Sequence, residues 1–85
     1  MRLDKFLKVS RLIKRRPVAK EACDAGRVFI NGKTAKAGSL VAVDDILEIT
    51  YASKTVKARV LRIQETVRKD EAAELYELLA GEAIE

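Results

Sequence analysis

The dipeptide Asn31-Gly32 constrains the fold of this chain more than any other feature of its sequence. It follows the run Val28-Phe29-Ile30, in which apolar residues alternate between the two faces of a strand. Asn-Gly favours a two-residue hairpin turn whose central residues both take positive φ angles. The sequence therefore predicts an antiparallel hairpin, with Phe29 on the opposite face from Val28 and Ile30.

Further alternation predicts more strands after this hairpin. The acidic pair Asp44-Asp45 is typical of a turn, and residues 47–51 and 56–60 then place apolar side chains on every second position. At Leu61 and Ile63 the alternation changes phase, which predicts either a bulge or a strand that leaves the sheet. The middle of the chain is thus expected to form a small, mostly antiparallel sheet.

Two short helices are predicted before the sheet. Leu3, Phe6 and Leu7 have the spacing of one buried helical stripe. Pro17 fits the start of a second helix, and Gly26 fits its end. We also expect an ion pair between Asp4 and Lys8, four residues apart on the first helix, which is either a solvated surface pair or positions nearby arginines.

The end of the chain predicts a third helix. Ala72, Leu75, Tyr76 and Leu79 have the i, i+3, i+4, i+7 spacing of an amphipathic helix, and acidic residues lie mostly outside that stripe. Such a helix closes the small core, serves as a docking surface for a protein partner, or folds over the basic half of the chain when that half has no ligand. The predicted fold class is α+β, with two short helices packed on the sheet and a C-terminal helix.

Positive charge is concentrated at the start of the chain. Eleven of the 17 Lys and Arg residues fall within positions 1–36 against three acidic residues, which gives this stretch a net charge of +8. The remainder has six basic and ten acidic residues and carries −4, so the formal total of +4 conceals the asymmetry. A cationic surface attracts polyanions and speeds encounter with them. Electrostatics therefore favour nucleic acid as the partner.

The residue types that are missing argue against several classes of function. With no His and one Cys, the sequence predicts no structural zinc site, no internal disulfide and no His-dependent catalysis. We therefore expect no enzymatic activity, no metal and no cofactor, and we expect Cys23 to be a small buried residue. No apolar run is long enough for a membrane span and no secretory signal is present, so we expect a cytoplasmic protein without membrane association.

Aromatic residues are scarce, which argues against a surface that stacks many bases. The chain has two Phe and two Tyr residues and no Trp. Phe29 either packs under another element or offers its ring to an RNA base, and the sequence leaves both open.

Arg15 and Arg16 immediately precede Pro17, at the predicted start of the second helix. A helix N-terminus exposes free backbone N–H groups and a partial positive charge, so these two guanidiniums are unfavourable for the helix itself. The same arrangement is favourable for a phosphate, which both the N–H groups and the guanidiniums attract. We therefore expect a phosphate-binding site at this position.

Three motifs together resemble the S4 RNA-binding domain, a family named after a protein of the small ribosomal subunit. They are the opening Arg2-Leu3-Asp4, the helix start Arg16-Pro17-Val18-Ala19, and the hairpin Gly26-Arg27-Val28-Phe29-Ile30-Asn31-Gly32. The resemblance covers roughly residues 1–50. Where the family usually has Gly-Asp before a later strand, this chain has Asp44-Asp45.

The resemblance implies two helices and a small sheet whose cationic face grips structured RNA. It implies a domain over residues 1–65, followed by the acidic helix over residues 66–85, packed on it or extending from it. The residues that match the family's RNA-binding positions are Arg2, Lys5, Arg11, Arg15, Arg16, Lys20 and Arg27. The matching core positions are Leu3, Leu7, Ala19, Ala22, Val28 and Ile30.

Among stand-alone members, the full length is similar to the RqcP (YabO) family of bacterial ribosome-associated quality control factors. This similarity implies binding to 23S rRNA and peptidyl-tRNA on a split large ribosomal subunit, and support of alanine tailing by a NEMF-family (RqcH-like) partner. We expect a monomer. The alternatives are a heat-shock-type S4 protein that binds free large subunits with nascent chains, and a protein-interaction adaptor. Heat-shock members usually have a basic C-terminal tail, whereas Glu82 and Glu85 are acidic.

Overall fold

The computed structural model of the protein describes residues 1–82 and has two α-helices packed on a five-stranded antiparallel sheet. The helices are α1 (Leu3–Val9) and α2 (Arg16–Asp24). The strands are β1 (Val28–Ile30), β2 (Lys33–Thr34), β3 (Ile46–Tyr51), β4 (Lys54–Val60) and β5 (Tyr76–Ala80), and a 3₁₀ helix (Lys69–Leu75) precedes β5. The strand order is β2-β1-β3-β4-β5. The α+β class predicted from the sequence is confirmed.

The predicted hairpin joins β1 to β2. Asn31 has φ 52° and Gly32 has φ 83°, the two positive values that this turn requires. Ile30 pairs with Lys33 across the turn. Phe29 is half-buried on the opposite face, where it lies opposite Thr34 on one side and Glu48 on the other.

The Asp44-Asp45 turn keeps its geometry without glycine. Asp44 takes the left-handed conformation, with φ 75°, which Asp tolerates better than most residues. Asp45 stabilises the turn, since its carboxylate accepts hydrogen bonds from the Ala42 backbone N–H at 2.8 Å and from the Asn31 side-chain amide at 3.0 Å. The Asn31 side chain in turn accepts a bond from Ile46 N–H at 2.9 Å, so the two turns brace each other.

The core lies between the helices and one face of the sheet. Leu3, Phe6 and Leu7 of α1 are fully buried, as their spacing predicts, and Cys23 of α2 is buried as well. The sheet contributes buried side chains from alternating positions, namely Val28, Leu47, Ile49, Val56, Ala58 and Val60. Of the core positions that the S4 resemblance implies, all are buried except Ile30, which is partly buried against the core.

The end of the chain differs from the predicted amphipathic helix. Only Lys69–Leu75 is helical, as a 3₁₀ helix that buries Ala72 and Leu75, and Tyr76–Ala80 is extended and pairs with β4. Leu79, expected on the buried stripe, is 43% exposed. Residues 76–80 form a strand rather than a helix because the outer edge of β4 offers backbone hydrogen-bond partners that a helix cannot use. Tertiary pairing here overrides the local helical preference. Residues 83–85 of the predicted helix lie outside the described residues.

The phase change after β4 marks the point where the chain leaves the sheet. β4 ends at Val60, and Leu61 is 41% exposed. Its backbone N–H bonds to the carbonyl of Leu75 at 2.8 Å, which connects the departing chain to the 3₁₀ helix. Across residues 1–82, no helix combines the length and apolar character that crossing a bilayer requires.

Candidate nucleic-acid interface

A buried carboxylate organises two of the predicted RNA-binding arginines. The side chain of Asp4 is 4% exposed. Its Oδ1 accepts a hydrogen bond from Arg2 Nε at 3.2 Å, and its Oδ2 accepts one from Arg16 Nε at 3.4 Å. The backbone N–H of Lys5 also donates to Oδ1, at 2.8 Å. One acidic residue therefore holds cations from the starts of both helices.

The charge of Asp4 is maintained by these arginines. Burial alone raises the pKa of this carboxyl, but hydrogen bonding and attraction from Arg16, followed by those from Arg2, outweigh burial and lower the pKa below its ordinary value. Asp4 is therefore ionised at neutral pH. The sequence predicted a pair with Lys8, which is wrong: the arginine two residues earlier and the one twelve residues later are the partners.

Backbone contacts fix Arg2 at the start of α1. Arg2 is extended, with φ −66° and ψ 145°, and its carbonyl accepts the N–H of Phe6 at 3.0 Å. The loop after β2 holds the flanking residues, because Leu3 N–H bonds to Ser39 O at 2.7 Å and Val41 N–H bonds to Met1 O at 2.9 Å. The Arg2 side chain is 55% exposed, so it reaches solvent from a fixed backbone.

Arg16 and Lys20 lie on the same side of α2. Arg16 is the first residue of the helix, and Lys20 follows one turn later and is exposed. Together with Asp4 and Pro17 they line a shallow groove. We call Arg2, Arg16 and Lys20 the Asp4 cluster, since Asp4 pairs directly with the two arginines and shares the groove with the lysine.

Arg15 and Arg27 lie on either side of an aromatic residue. Arg15, the N-cap residue of α2, lines a groove with Lys14, Val18 and Tyr51. Arg27, just before β1, lines a second groove in which Tyr51 also takes part. The sequence identified Tyr51 only as a strand residue. The signal in the sequence that could have pointed to Tyr51 as a site residue was its position at the end of a strand, beside a turn.

Lys5 and Arg11 have a different environment from the Asp4 cluster. Lys5 Nζ forms an ion pair with Glu65, in the segment that follows β4, and this pairing lowers the pKa of Glu65. Arg11 has φ 62° and lines a groove with the same segment, including Glu65 and Val67. These two predicted residues therefore lie beside the chain that leads to the 3₁₀ helix, and Lys5 is partly neutralised there.

The cations differ in how far carboxylates neutralise them. Within residues 1–82, Arg15, Lys20 and Arg27 form no ion pair, whereas Arg2, Arg16 and Lys5 each contact one carboxylate. The described residues contain no group of three or more potential metal ligands of the His, Cys, Asp or Glu type. The arrangement offers N–H donors and positive charge, which is the chemistry that binds phosphate.

Comparisons with known proteins show which family the chain belongs to. Residues 1–47 match the model of the S4 domain family. A curated protein of Halalkalibacterium halodurans, an "RQC P-site tRNA stabilizing factor", is 55% identical over 84 residues, which cover 99% of this chain and 96% of that protein. The protein of the same description from Bacillus subtilis is 51% identical over 84 residues, covering 99% of this chain and 98% of its own length.

A solved structure shows the same fold. The trimeric structure of Vibrio cholerae heat shock protein 15 superposes with a TM-score of 0.85 at 28% identity, covering 94% of this chain and 82% of that one. The family model covers more than half of the chain, and the curated relatives cover nearly all of it. The chain therefore belongs to the S4 domain family and, within it, to the family of RQC P-site tRNA stabilizing factors.

Proposed function

We propose that this chain is a non-enzymatic RNA-binding factor of ribosome-associated quality control. It binds peptidyl-tRNA and 23S rRNA on the large subunit that remains after a stalled ribosome splits. There it supports C-terminal alanine tailing of the nascent chain by a NEMF-family (RqcH-like) partner. It acts in the cytoplasm, where ribosomes translate, and as a monomer. The description of its curated relatives as P-site tRNA stabilizing factors supports the tRNA part of this proposal.

The Asp4 cluster is the observation that carries the proposal. Asp4 accepts hydrogen bonds from Nε of Arg16 and from Nε and, at 3.5 Å, Nη2 of Arg2, so each guanidinium keeps at least one Nη group that does not bond to this carboxylate. Guanidinium N–H groups suit phosphate oxygens because their planar fork matches two oxygens at once. The N-terminus of α2 adds free backbone N–H groups beside Arg16. A phosphate placed here meets two oriented cations and a helix end.

The proposed role of the site is binding rather than chemistry. Arginine and lysine side chains donate hydrogen bonds to phosphate and ribose oxygens without exchanging protons near neutral pH. Contacts of this kind position an RNA of fixed shape. We therefore propose that the protein stabilises a tRNA in place while its partner acts on the nascent chain.

Arg16→Ala tests the proposal. We expect weaker binding to tRNA and to split large subunits, with the fold retained. With about five phosphate contacts, the slope of log K against log salt should be near −4 for the native protein, and the variant should lower its magnitude by somewhat less than one. Arg68→Ala is the matched control, because Arg68 is 80% exposed and pairs with Glu71 away from the Asp4 cluster.

The assay is co-sedimentation with split large subunits, with and without bound tRNA, together with a thermal melt of each variant. Arg16→Ala binding that equals that of the native protein, with an intact fold, would contradict the proposed site. Absence of the native protein from both kinds of subunit would overturn the function itself.

A heat-shock-type role is the second candidate, since the Vibrio cholerae protein has the same fold. A reconstituted tailing reaction separates the two roles. Quality control requires that alanine addition by the NEMF-family partner falls when this chain is omitted. Unchanged tailing, with binding to subunits retained, would favour the heat-shock-type role.

A further inference from the structure

Tyr51 lies where two grooves meet on the surface beside α2. It is the last residue of β3, it is half-buried, and the turn after it begins at Ala52 with a positive φ of 53°. One groove is lined by Tyr51 with Lys14, Arg15 and Val18. The second is lined by Tyr51 and Ala52 together with residues from the end of α2 and Arg27. Tyr51 therefore borders both grooves.

The two grooves have the composition of a nucleotide site. Arg15 borders one and Arg27 borders the other, so cations lie on both sides of the tyrosine. The second groove is also lined by two small residues, Ala22 and Ala25, and Glu21 is the carboxylate among its lining residues. Phosphates fit the arginines, and a flat apolar group fits the ring between them.

Backbone contacts hold this arrangement in place. Thr50 N–H bonds to Arg27 O at 2.9 Å, and Arg27 N–H bonds to Ala22 O at 3.0 Å. The end of β3, the start of β1 and the end of α2 are thus linked through one residue. Since these contacts are formed within the fold, the backbone segments that carry Tyr51 and Arg27 need little rearrangement to meet a ligand together.

We infer that Tyr51 stacks on an unpaired base of the bound RNA, with flanking phosphates on Arg15 and Arg27. The inference rests on the proposed function and extends its surface from the Asp4 cluster past the N-terminus of α2. Single-stranded RNA is recognised by stacking on aromatic side chains, and the contact tolerates any base because every base has a π face. Tyr51 therefore favours RNA in which an unpaired nucleotide lies next to the phosphates that Arg15 and Arg27 contact.

The chain supplies its own control in Tyr76. These are the only two tyrosines, and no tryptophan is present. Tyr76 is also half-buried, but it lies in β5, pairs with Val60, and is absent from the lining of both grooves. Tyr76→Phe leaves Tyr51 as the sole tyrosine, and Tyr51→Phe leaves Tyr76.

Tyrosine fluorescence during titration with tRNA tests the inference, with emission corrected for absorption by the RNA. We expect strong quenching in Tyr76→Phe and little in Tyr51→Phe. A single-stranded oligouridylate should quench Tyr51 as well, and an RNA duplex of the same length should quench it much less. Equal quenching by duplex and single strand would overturn stacking on an unpaired base.

Affinity for tRNA gives an independent measurement. Tyr51→Leu should bind about tenfold more weakly, while Tyr51→Phe, which keeps the ring, should stay within about twofold of the native protein. Tyr76→Leu should bind normally. If Tyr51→Leu does not fold, the fluorescence of Tyr76→Phe still tests whether Tyr51 stacks on a base. Tyr76→Phe protein that binds tRNA with unchanged emission would overturn this inference alone, whereas native protein that does not bind tRNA would overturn the proposed function.

Discussion

Replacing Asp4 with Asn gives the sharpest test of how the cationic surface is built. The substitution keeps the size of the side chain, removes its charge and turns one acceptor oxygen into an NH₂ donor. The remaining oxygen can still accept the N–H of Lys5, but the new amide nitrogen faces a guanidinium that also donates. The arginines at positions 2 and 16 thus lose their shared anchor.

The effect on stability follows from the contacts that are lost. Hydrogen bonds to a charged group contribute about 1.5–3 kcal/mol each. The Arg2 and Arg16 side chains are 55% and 47% exposed, so water replaces much of what Asp4 supplies to them. We therefore expect a total loss of about 2 kcal/mol, which corresponds to a Tm lower by about 8–16 °C for a domain of this size.

The stability loss should depend on pH. The partners of Asp4 lower its pKa in the folded protein, so its contribution is complete above the pKa of the unfolded chain, about 4. The contribution disappears as the pH falls through the lower folded-state pKa. The difference in unfolding free energy between the native protein and the variant should therefore be constant from pH 8 to pH 5 and shrink below about pH 4.

The effect on RNA binding separates two explanations by its sign. Asp4→Asn raises the net charge by one, and attraction by charge alone predicts tighter binding. Orientation predicts the opposite, because two released arginines must each be immobilised again, at about 0.5–1.5 kcal/mol per side chain. We expect orientation to dominate, with a total cost of about 1–3 kcal/mol and a tRNA affinity about five- to 150-fold lower.

Asp24→Asn is the matched control for this experiment. Asp24 is exposed at the end of α2, and its substitution adds the same unit of charge without contacting Arg2 or Arg16. Its stability should change by less than about 0.5 kcal/mol. Filter binding at two salt concentrations, with a urea melt of each variant, provides the measurements. Tighter binding by Asp4→Asn, matching that of Asp24→Asn, would refute the role assigned to Asp4.

Two further predictions concern the fold. Gly81 has φ +76°, and a Cβ there would lie 2.2 Å from Thr55 O, whereas Gly32 has φ +83° but open space around it. Gly81→Ala should therefore destabilise the protein by roughly 1–3 kcal/mol more than Gly32→Ala. Equal urea midpoints for the two variants would contradict this. Burial, with smaller contributions from the Asp4 and Asp24 charges, raises the pKa of Cys23 from 9.0 to about 11. The thiol should therefore react with a disulfide reagent at pH 8 only when the fold opens, and rapid reaction of the folded protein would count against the burial. The contribution of the Cys23 thiol to stability should be complete below pH 9 and lost as the pH rises to about 11.

Local signals were sufficient for the first three quarters of the fold. Residues close together in the sequence determine three of these features: the β1–β2 turn, the start of α2 at Arg16 and the buried stripe of α1. The end of the chain depends instead on pairing with β4. Ala72 and Leu75 are buried as their spacing suggests, but Tyr76 begins a strand because it pairs with Val60 at the edge of β4.

The candidate site shows the same division. The sequence pointed to the cations through charge density and through the S4 resemblance, and their binding role stays a prediction. It did not bring Asp4 together with Arg16, since these residues are twelve positions apart and meet only when α1 packs on α2. Tyr51 joins Arg15 and Arg27 for a similar reason, because three separate elements meet there.

Because the chain is synthesised from its N-terminus, the late position of β5 affects the nascent protein. All the proposed RNA-binding residues precede β4, whereas β5 is the last described strand to leave the ribosome. Until it emerges, the outer edge of β4 has unpaired backbone groups and Leu75 lacks its buried position. A copy interrupted late in translation is therefore expected to present its cations to RNA while its sheet is still one strand short.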